Sequence, residues 1–273
     1  MKFAVVEGKR REAQIGLSAE CFYCGQAMIA KCGDYRVWHW AHRGTRTCDT
    51  WWEPETEWHR AWKSHFPEHW QERIHWSKDG EKHVADVKTE SGMVIEFQHS
   101  NLRQEERESR EIFYEKMVWV VDGLRRLRDR PRFFASLAKA PVIKAKPLTI
   151  SLPSNDGALL REWAASRMAV FFDFGENTEP RDALRFDMPV LWHLNPGSPE
   201  GKAHLSPVMK TSFRNAYLKG LPLDGIDYSV EVKHALRVRA ALSVRQQAYR
   251  SSGTRGFFQY MARRQRARSR VRF

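Results

Sequence analysis

His83-Val84-Ala85-Asp86-Val87-Lys88-Thr89-Glu90-Ser91-Gly92-Met93-Val94-Ile95-Glu96-Phe97-Gln98 reads as two short strands, 83–88 and 93–98, joined by a turn at 90–92. Strand-forming residues fill both runs, and Glu-Ser-Gly supplies the break between them. Asp86 stands among Val84, Ala85 and Val87, which are core-type residues. A carboxylate in such a place is costly unless it is paired or binds a metal. In the second strand alternation puts Glu96 and Gln98 on one face, Ile95 and Phe97 on the other. The connecting turn sets Asp86 opposite or diagonal to Glu96. Two carboxylates on neighbouring strands form a hard-oxygen site suited to Mg²⁺ or Mn²⁺. The bland alternative, two surface carboxylates on a solvated sheet face, is opposed by the apolar flanks.

Working outward, residues 72–76 form a preceding strand, closed by a turn at 77–80. Before it, Pro54 opens a helix over 55–66 and Pro67 stops it. Trp58 and Trp62 lie four apart on this helix, as do Glu55, His59 and Lys63, so apolar and polar faces separate. His59 and Lys63 then face either a phosphate or simply each other along the helix surface. Downstream, a charged helix over 104–116 leads into Met117-Val118-Trp119-Val120-Val121, apolar enough to be buried on both faces. The predicted order is αβββαβ.

All four cysteines, Cys21, Cys24, Cys32 and Cys48, fall in the first 48 residues. A disulfide framework would not be so confined, whereas Cys21-x-x-Cys24-Gly25 suits a metal knuckle. His39-Trp40-Ala41-His42 and Cys48 supply the second half of a tetrahedral zinc site. Cys21, Cys24, His42 and Cys48 are the preferred ligands, with one of His39 and His42 expected to bind. Cys32 falls in the turn Lys31-Cys32-Gly33-Asp34 and reads as a spare thiol. The competing reading, a thioredoxin-like redox pair, needs a helix after Cys24, which Gly25-Gln26-Ala27-Met28 does not clearly supply.

The 273 residues carry 42% hydrophobic side chains, enough for a real core, and a net charge of +13. Lys233 and eleven arginines between Arg237 and Arg272 follow the last acidic residue, Glu231; without those twelve cations the rest of the chain carries only +1. This acid-free tail, with Arg263, Arg264, Arg266, Arg268 and Arg270 at its densest part, has the signature of contact with a nucleic-acid backbone. No apolar run approaches the roughly 20 residues that span a bilayer, so no membrane association is expected. The N-terminal residues turn charged too early for a signal peptide, which points to the cytoplasm. The expected organisation is α/β: a small β-rich zinc module (1–50), the αβββαβ core (51–126), a further α/β region (127–231) and the basic tail (232–273). In the further region, strands are expected over 168–174 and 186–194. Asp173 reads as a turn former, and no second active site is expected there.

The set Cys21-x-x-Cys24, His39-Trp40-Ala41-His42, Cys48, Glu55-Thr56-Glu57-Trp58-His59-x-x-x-Lys63, Ala85-Asp86-Val87, Ile95-Glu96-Phe97-Gln98-His99-Ser100 and Trp119-Val120-Val121-Asp122-Gly123 resembles the competence protein CoiA-like family over residues 1–125. That resemblance implies a zinc-finger module joined to a restriction-endonuclease-like nuclease core of the PD-(D/E)xK type, acting on DNA in uptake, recombination or defence. Asp86 and Glu96, helped by the Phe97 carbonyl, would then hold catalytic Mg²⁺ or Mn²⁺. Glu57 looks like the superfamily's first-helix acid, with Glu55 as the alternative. Gln98 stands where a Lys is common, an E-x-Q variant that occurs in the family, and would position water or phosphate without adding charge. The competing expectation is a DNA-binding accessory factor with a vestigial core that assists a recombinase.

Overall fold

The computed structural model describes residues 1–44, 48–176, 189–227 and 229. Residues 1–226 form one compact unit. The expected contacts of Arg263, Arg264, Arg266, Arg268 and Arg270 lie outside the described residues.

The chain begins with five short strands, β1 (Phe3–Val6), β2 (Lys9–Glu12), β3 (Ser18–Glu20), β4 (Ala27–Lys31) and β5 (His39–His42), in the sheet order β2-β1-β3-β4-β5. The two residues between β1 and β2, Glu7 and Gly8, both have positive φ. That is the backbone of a tight hairpin whose twist matches its strands. Ala4, Val6, Met28 and Trp40 are buried with Cys21 in a miniature core. The Trp40 indole N–H donates to the Arg11 carbonyl at 2.9 Å, so the ring is buried with its polar atom satisfied.

A second sheet of nine strands follows. Its elements are α1 (Glu57–Ser64), a 3₁₀ turn (Glu68–Trp70), β6 (Gln71–Trp76), β7 (Lys82–Lys88), β8 (Val94–Gln98), α2 (Gln104–Tyr114), β9 (Met117–Asp122) and α3 (Asp129–Leu137). They continue as β10 (Val142–Ala145), β11 (Leu148–Pro153), α4 (Gly157–Trp163), β12 (Ala169–Asp173), β13 (Val190–Leu194), β14 (Lys202–Met209) and α5 (Lys210–Lys219). The sheet order is β10-β11-β14-β13-β12-β9-β8-β7-β6. The predicted succession of helix, three strands, helix and strand appears as α1, β6, β7, β8, α2 and β9.

One expectation is corrected. The first helix starts at Glu57, later than its Pro54 suggested, because the Thr56 hydroxyl accepts the His59 amide and caps it there. Residues on both sides of the expected boundary at 126/127 contribute to one sheet. β9 is buried along its whole length and pairs in parallel with β8 on one side and β12 on the other, so residues from both predicted regions share one sheet. A strand apolar on both faces needs such neighbours and helices above and below it.

Those helices are divided between the faces. Phe97, Val120 and Phe171 pack with Trp62 of α1 and Phe213 of α5. On the opposite face the Trp119 ring meets Trp163 of α4, while Phe172 and Trp192 meet Phe133 of α3. α2 lies on this second face, where the Trp119 indole donates to Glu111. No helix among the described residues is long and apolar enough to cross a membrane.

Candidate functional site

In the first sheet, the knuckle before β4 and the end of β5 bring Cys21, Cys24, His42 and Cys48 together, with one ligand atom of each within 4.8 Å of all the others. Cys21 Sγ is 3.7 Å from Cys48 Sγ, and Cys24 Sγ is 3.3 Å from His42 Nε2. A tetrahedron with Zn–S bonds of about 2.3 Å has an S–S edge of roughly 3.8 Å, so the four atoms can hold a zinc ion. The hydrogen bond from Cys48 holds the Cys21 thiol well below its usual range, toward the thiolate that binds metal. His39 turns its Nδ1 to the Val37 carbonyl at 2.8 Å, and neither it nor Cys32 belongs to the cluster.

In the second sheet, the antiparallel ladder between β7 and β8 ends at Val87–Ile95. One step beyond, Asp86 and Glu96 oppose each other and take over the pairing. The Asp86 amide donates to Glu96 Oε1 at 3.1 Å, and the Phe97 amide donates to Asp86 Oδ2 at 3.0 Å. A cavity of about 70 Å³ opens beside them, large enough for a few waters. Its walls come from residues 48–55, α1, β6, β7, β8 and Arg110 of α2.

The charge balance there is tight. Lys63, buried on α1, places Nζ 2.8 Å from Glu55, 2.9 Å from Glu72 and 3.9 Å from Asp86. Burial alone would lower the Lys63 pKa, but the three carboxylates outweigh it and keep the ammonium charged. Glu96 is pushed up to about 8 by burial and by the charge of Asp86, while Arg110, 3.4 Å away, pulls the other way. Burial also raises Asp86, against the pull of Lys63. Glu72 has the opposite fate: burial would raise it, yet Lys63 and the Lys2 amide bring it down to about 2. Its carboxylate also accepts the Phe3 amide at 3.0 Å, so one side chain on β6 joins β1 to the cavity. Glu72 adopts a left-handed φ of 46°, a conformation these three donors help to hold.

Glu57, expected as the first-helix acid, is exposed at the start of α1 and does not line the cavity. Glu55 does. It precedes the extended N-cap Thr56 and therefore points inward, whereas Glu57 already belongs to the helix surface. Apart from ion pairs with Lys63 and Arg60, the buried Glu55 oxygens make no hydrogen bond. Oε1 is taken by Lys63, and the Oε2 acceptor left open beside Asp86 and Glu96 fits a divalent cation. Gln98 is buried but its amide is held by Glu53 and by the Ser100 carbonyl, away from the acidic pair. The Phe97 carbonyl, expected as a metal ligand, accepts a hydrogen bond from His59 Nε2.

Sequence reasoning missed several cavity residues. Asp49, next to Cys48, accepts the Val84 amide at 2.7 Å and the His83 ring at 2.7 Å, tying the cysteine cluster to β7 two residues before Asp86. Arg110 reads as part of a solvated charged helix yet is 4% exposed. A signal existed for neither, since each is placed by packing between elements distant in sequence. The chain matches no protein-family model, no curated protein and no solved structure.

Proposed function

We propose that the protein is a divalent-metal-dependent DNA nuclease with a structural zinc site, as its resemblance to the CoiA-like family implies. The observation that carries this reading is the pairing of Asp86 with Glu96 where β7 and β8 part, with the open Oε2 of Glu55 in the same cavity. Asp86, Glu96 and Glu55 would hold Mg²⁺ or Mn²⁺, which when bound polarises a phosphate oxygen and a water. Lys63 then supplies the fixed positive charge that Gln98 lacks, and balances the phosphate once the carboxylates turn to the cation. Arg110 keeps Glu96 oriented and favours its ionised form. Gln98, through Glu53, holds the 53–55 segment against the end of β8. The zinc ligands take no part in the chemistry; they fix the 48–53 wall. The Arg-rich tail would attract the DNA backbone without reading its sequence.

The second reading, an accessory DNA-binding factor acting with a recombinase, is favoured by one observation. Lys63 stands among the carboxylates, and His59 occupies the Phe97 carbonyl, so much of the cavity's charge and hydrogen bonding is met without a metal ion. Incubation of the purified protein with linear, circular and single-stranded DNA, with and without Mg²⁺ or Mn²⁺, separates the two. The nuclease reading expects divalent-dependent cleavage that Asp86→Ala or Glu96→Ala abolishes while DNA binding persists. Cleavage at the wild-type rate by the Asp86→Ala/Glu96→Ala double variant would overturn it.

A further inference from the structure

β8 and β9 are parallel and in register at Gln98–Val121. The next residues along each strand, His99 and Asp122, therefore emerge side by side at the carboxyl ends of the strands, the edge where open α/β sheets place their ligands. Asp122 is 5% exposed. Its Oδ1 accepts the Leu124 amide at 2.8 Å and its Oδ2 lies 2.8 Å from His99 Nδ1. With Oδ2 as the acceptor, this contact assigns the Nδ1 proton to His99 and leaves Nε2 as the working nitrogen. The His99 side chain is 38% exposed, open to a substrate.

The position of this pair relative to the acidic cavity follows from the strand. Phe97 and His99 alternate onto the same face, and two strand residues span roughly 6.6 Å. The Phe97 amide holds Asp86, and the Phe97 carbonyl holds His59, whose ring lines the cavity. The His59 and His99 rings are 6.2 Å apart, and Trp58 lies 6.3 Å from His99. The titratable groups in contact with His99 are thus Asp122 from β9 and His59 from α1. His99 does not line the cavity itself and stands one ring beyond it.

We infer that His99 is the catalytic residue that protonates the leaving sugar oxygen, and that Asp122 is its positioning residue. This rests on the nuclease reading of Asp86 and Glu96. In the step, the oxygen of water forms a bond to phosphorus and the bond from phosphorus to the sugar oxygen breaks. The electron pair of that bond goes to the sugar oxygen, which takes the proton from His99 Nε2. The proton lost by the attacking water passes to solvent, and His99 is reprotonated from solvent. General acid catalysis of this kind contributes typically 10²–10⁴-fold.

The test compares two substrates of the full chain with Mn²⁺: DNA, whose sugar leaving group needs a proton, and a p-nitrophenyl phosphodiester of thymidine, whose nitrophenolate does not. His99→Gln should lower kcat on DNA by about 10²–10⁴-fold with KM little changed, and lower turnover of the activated ester by less than about tenfold. Asp122→Asn, which removes the acceptor that orients the ring, should lower kcat on DNA with KM little changed while sparing the activated ester. Equal losses on both substrates, or no loss on either, would overturn the inference while leaving Asp86 and Glu96 in place. Undiminished cleavage of both substrates by the Asp86→Ala/Glu96→Ala variant would instead bring down the nuclease reading, and this inference with it.

Discussion

The cysteine cluster and the acidic cavity are neighbours that share a wall, yet they gather their side chains in opposite ways. Cys21, Cys24, His42 and Cys48 come from 28 consecutive residues and converge within 4.8 Å with no opposing charge among them. Glu55, Glu72, Asp86 and Glu96 come from the segment before α1 and from three strands, and a lysine and an arginine stand between them. A thiolate-imidazole site can be assembled by local chain geometry, because its ligands attract one ion and little else. A carboxylate site in a partly buried cavity has to be neutralised as the protein folds, so its counter-ions are built in.

That contrast yields its largest expected effect in the zinc module. Cys48→Ser should reduce bound zinc from about one per chain to a small fraction and cost several kcal/mol of stability, because structural zinc affinity is folding free energy on the order of 10 kcal/mol. Cys32→Ser, outside the cluster, should stay within about 0.5 kcal/mol. Metal analysis alongside thermal denaturation checks both, and a zinc-free wild-type protein never exposed to chelator would erase the contrast.

The second effect is smaller and concerns acid. Glu72 is held at about 2 in the folded protein against an ordinary value of 4.5. Its stabilisation is therefore fully present above about pH 4.5 and is lost as pH falls toward 2, amounting to a few kcal/mol. Glu72→Gln should flatten the stability curve between those values in urea titrations. The slope of the Cys32→Ser protein should match wild type. A Glu72→Gln protein that lost stability in acid as steeply as wild type would show that the Lys63 cluster is not what titrates.

The third effect separates two acids only two residues apart. Glu55→Gln should weaken Mn²⁺ binding by at least about tenfold in calorimetry. Glu57→Gln, on the exposed helix start, should change it less than twofold. The reverse ranking would mean that the inward turn of the chain before Thr56 is not used by the cation.

The sequence made the strands at 83–88 and 93–98 legible because their alternation is local, and the register that opposes Asp86 to Glu96 follows from one turn length. The clustering of Cys21, Cys24, His42 and Cys48 was legible for the same reason. What was not legible depends on contacts between distant segments. Glu55 and Glu57 are equivalent in composition and differ only in which side of a capped helix start they occupy. Arg107, Arg110 and Glu111 give α2 the look of a solvated helix, although all three are buried. The sharing of one sheet by β9 and β12 could not be read from either strand alone, since a run buried on both faces does not say which neighbour it takes.

Lys63 gives the cavity a resident cation on a covalent leash. Its ammonium never leaves by diffusion, so its local concentration beside Glu55, Glu72 and Asp86 far exceeds that of any free ion. On the proposed nuclease reading, an incoming Mg²⁺ would compete with a tethered rival rather than fill an empty seat. Such a site would stay quiet where divalent ions are scarce and engage only when their concentration is high enough to displace the leash.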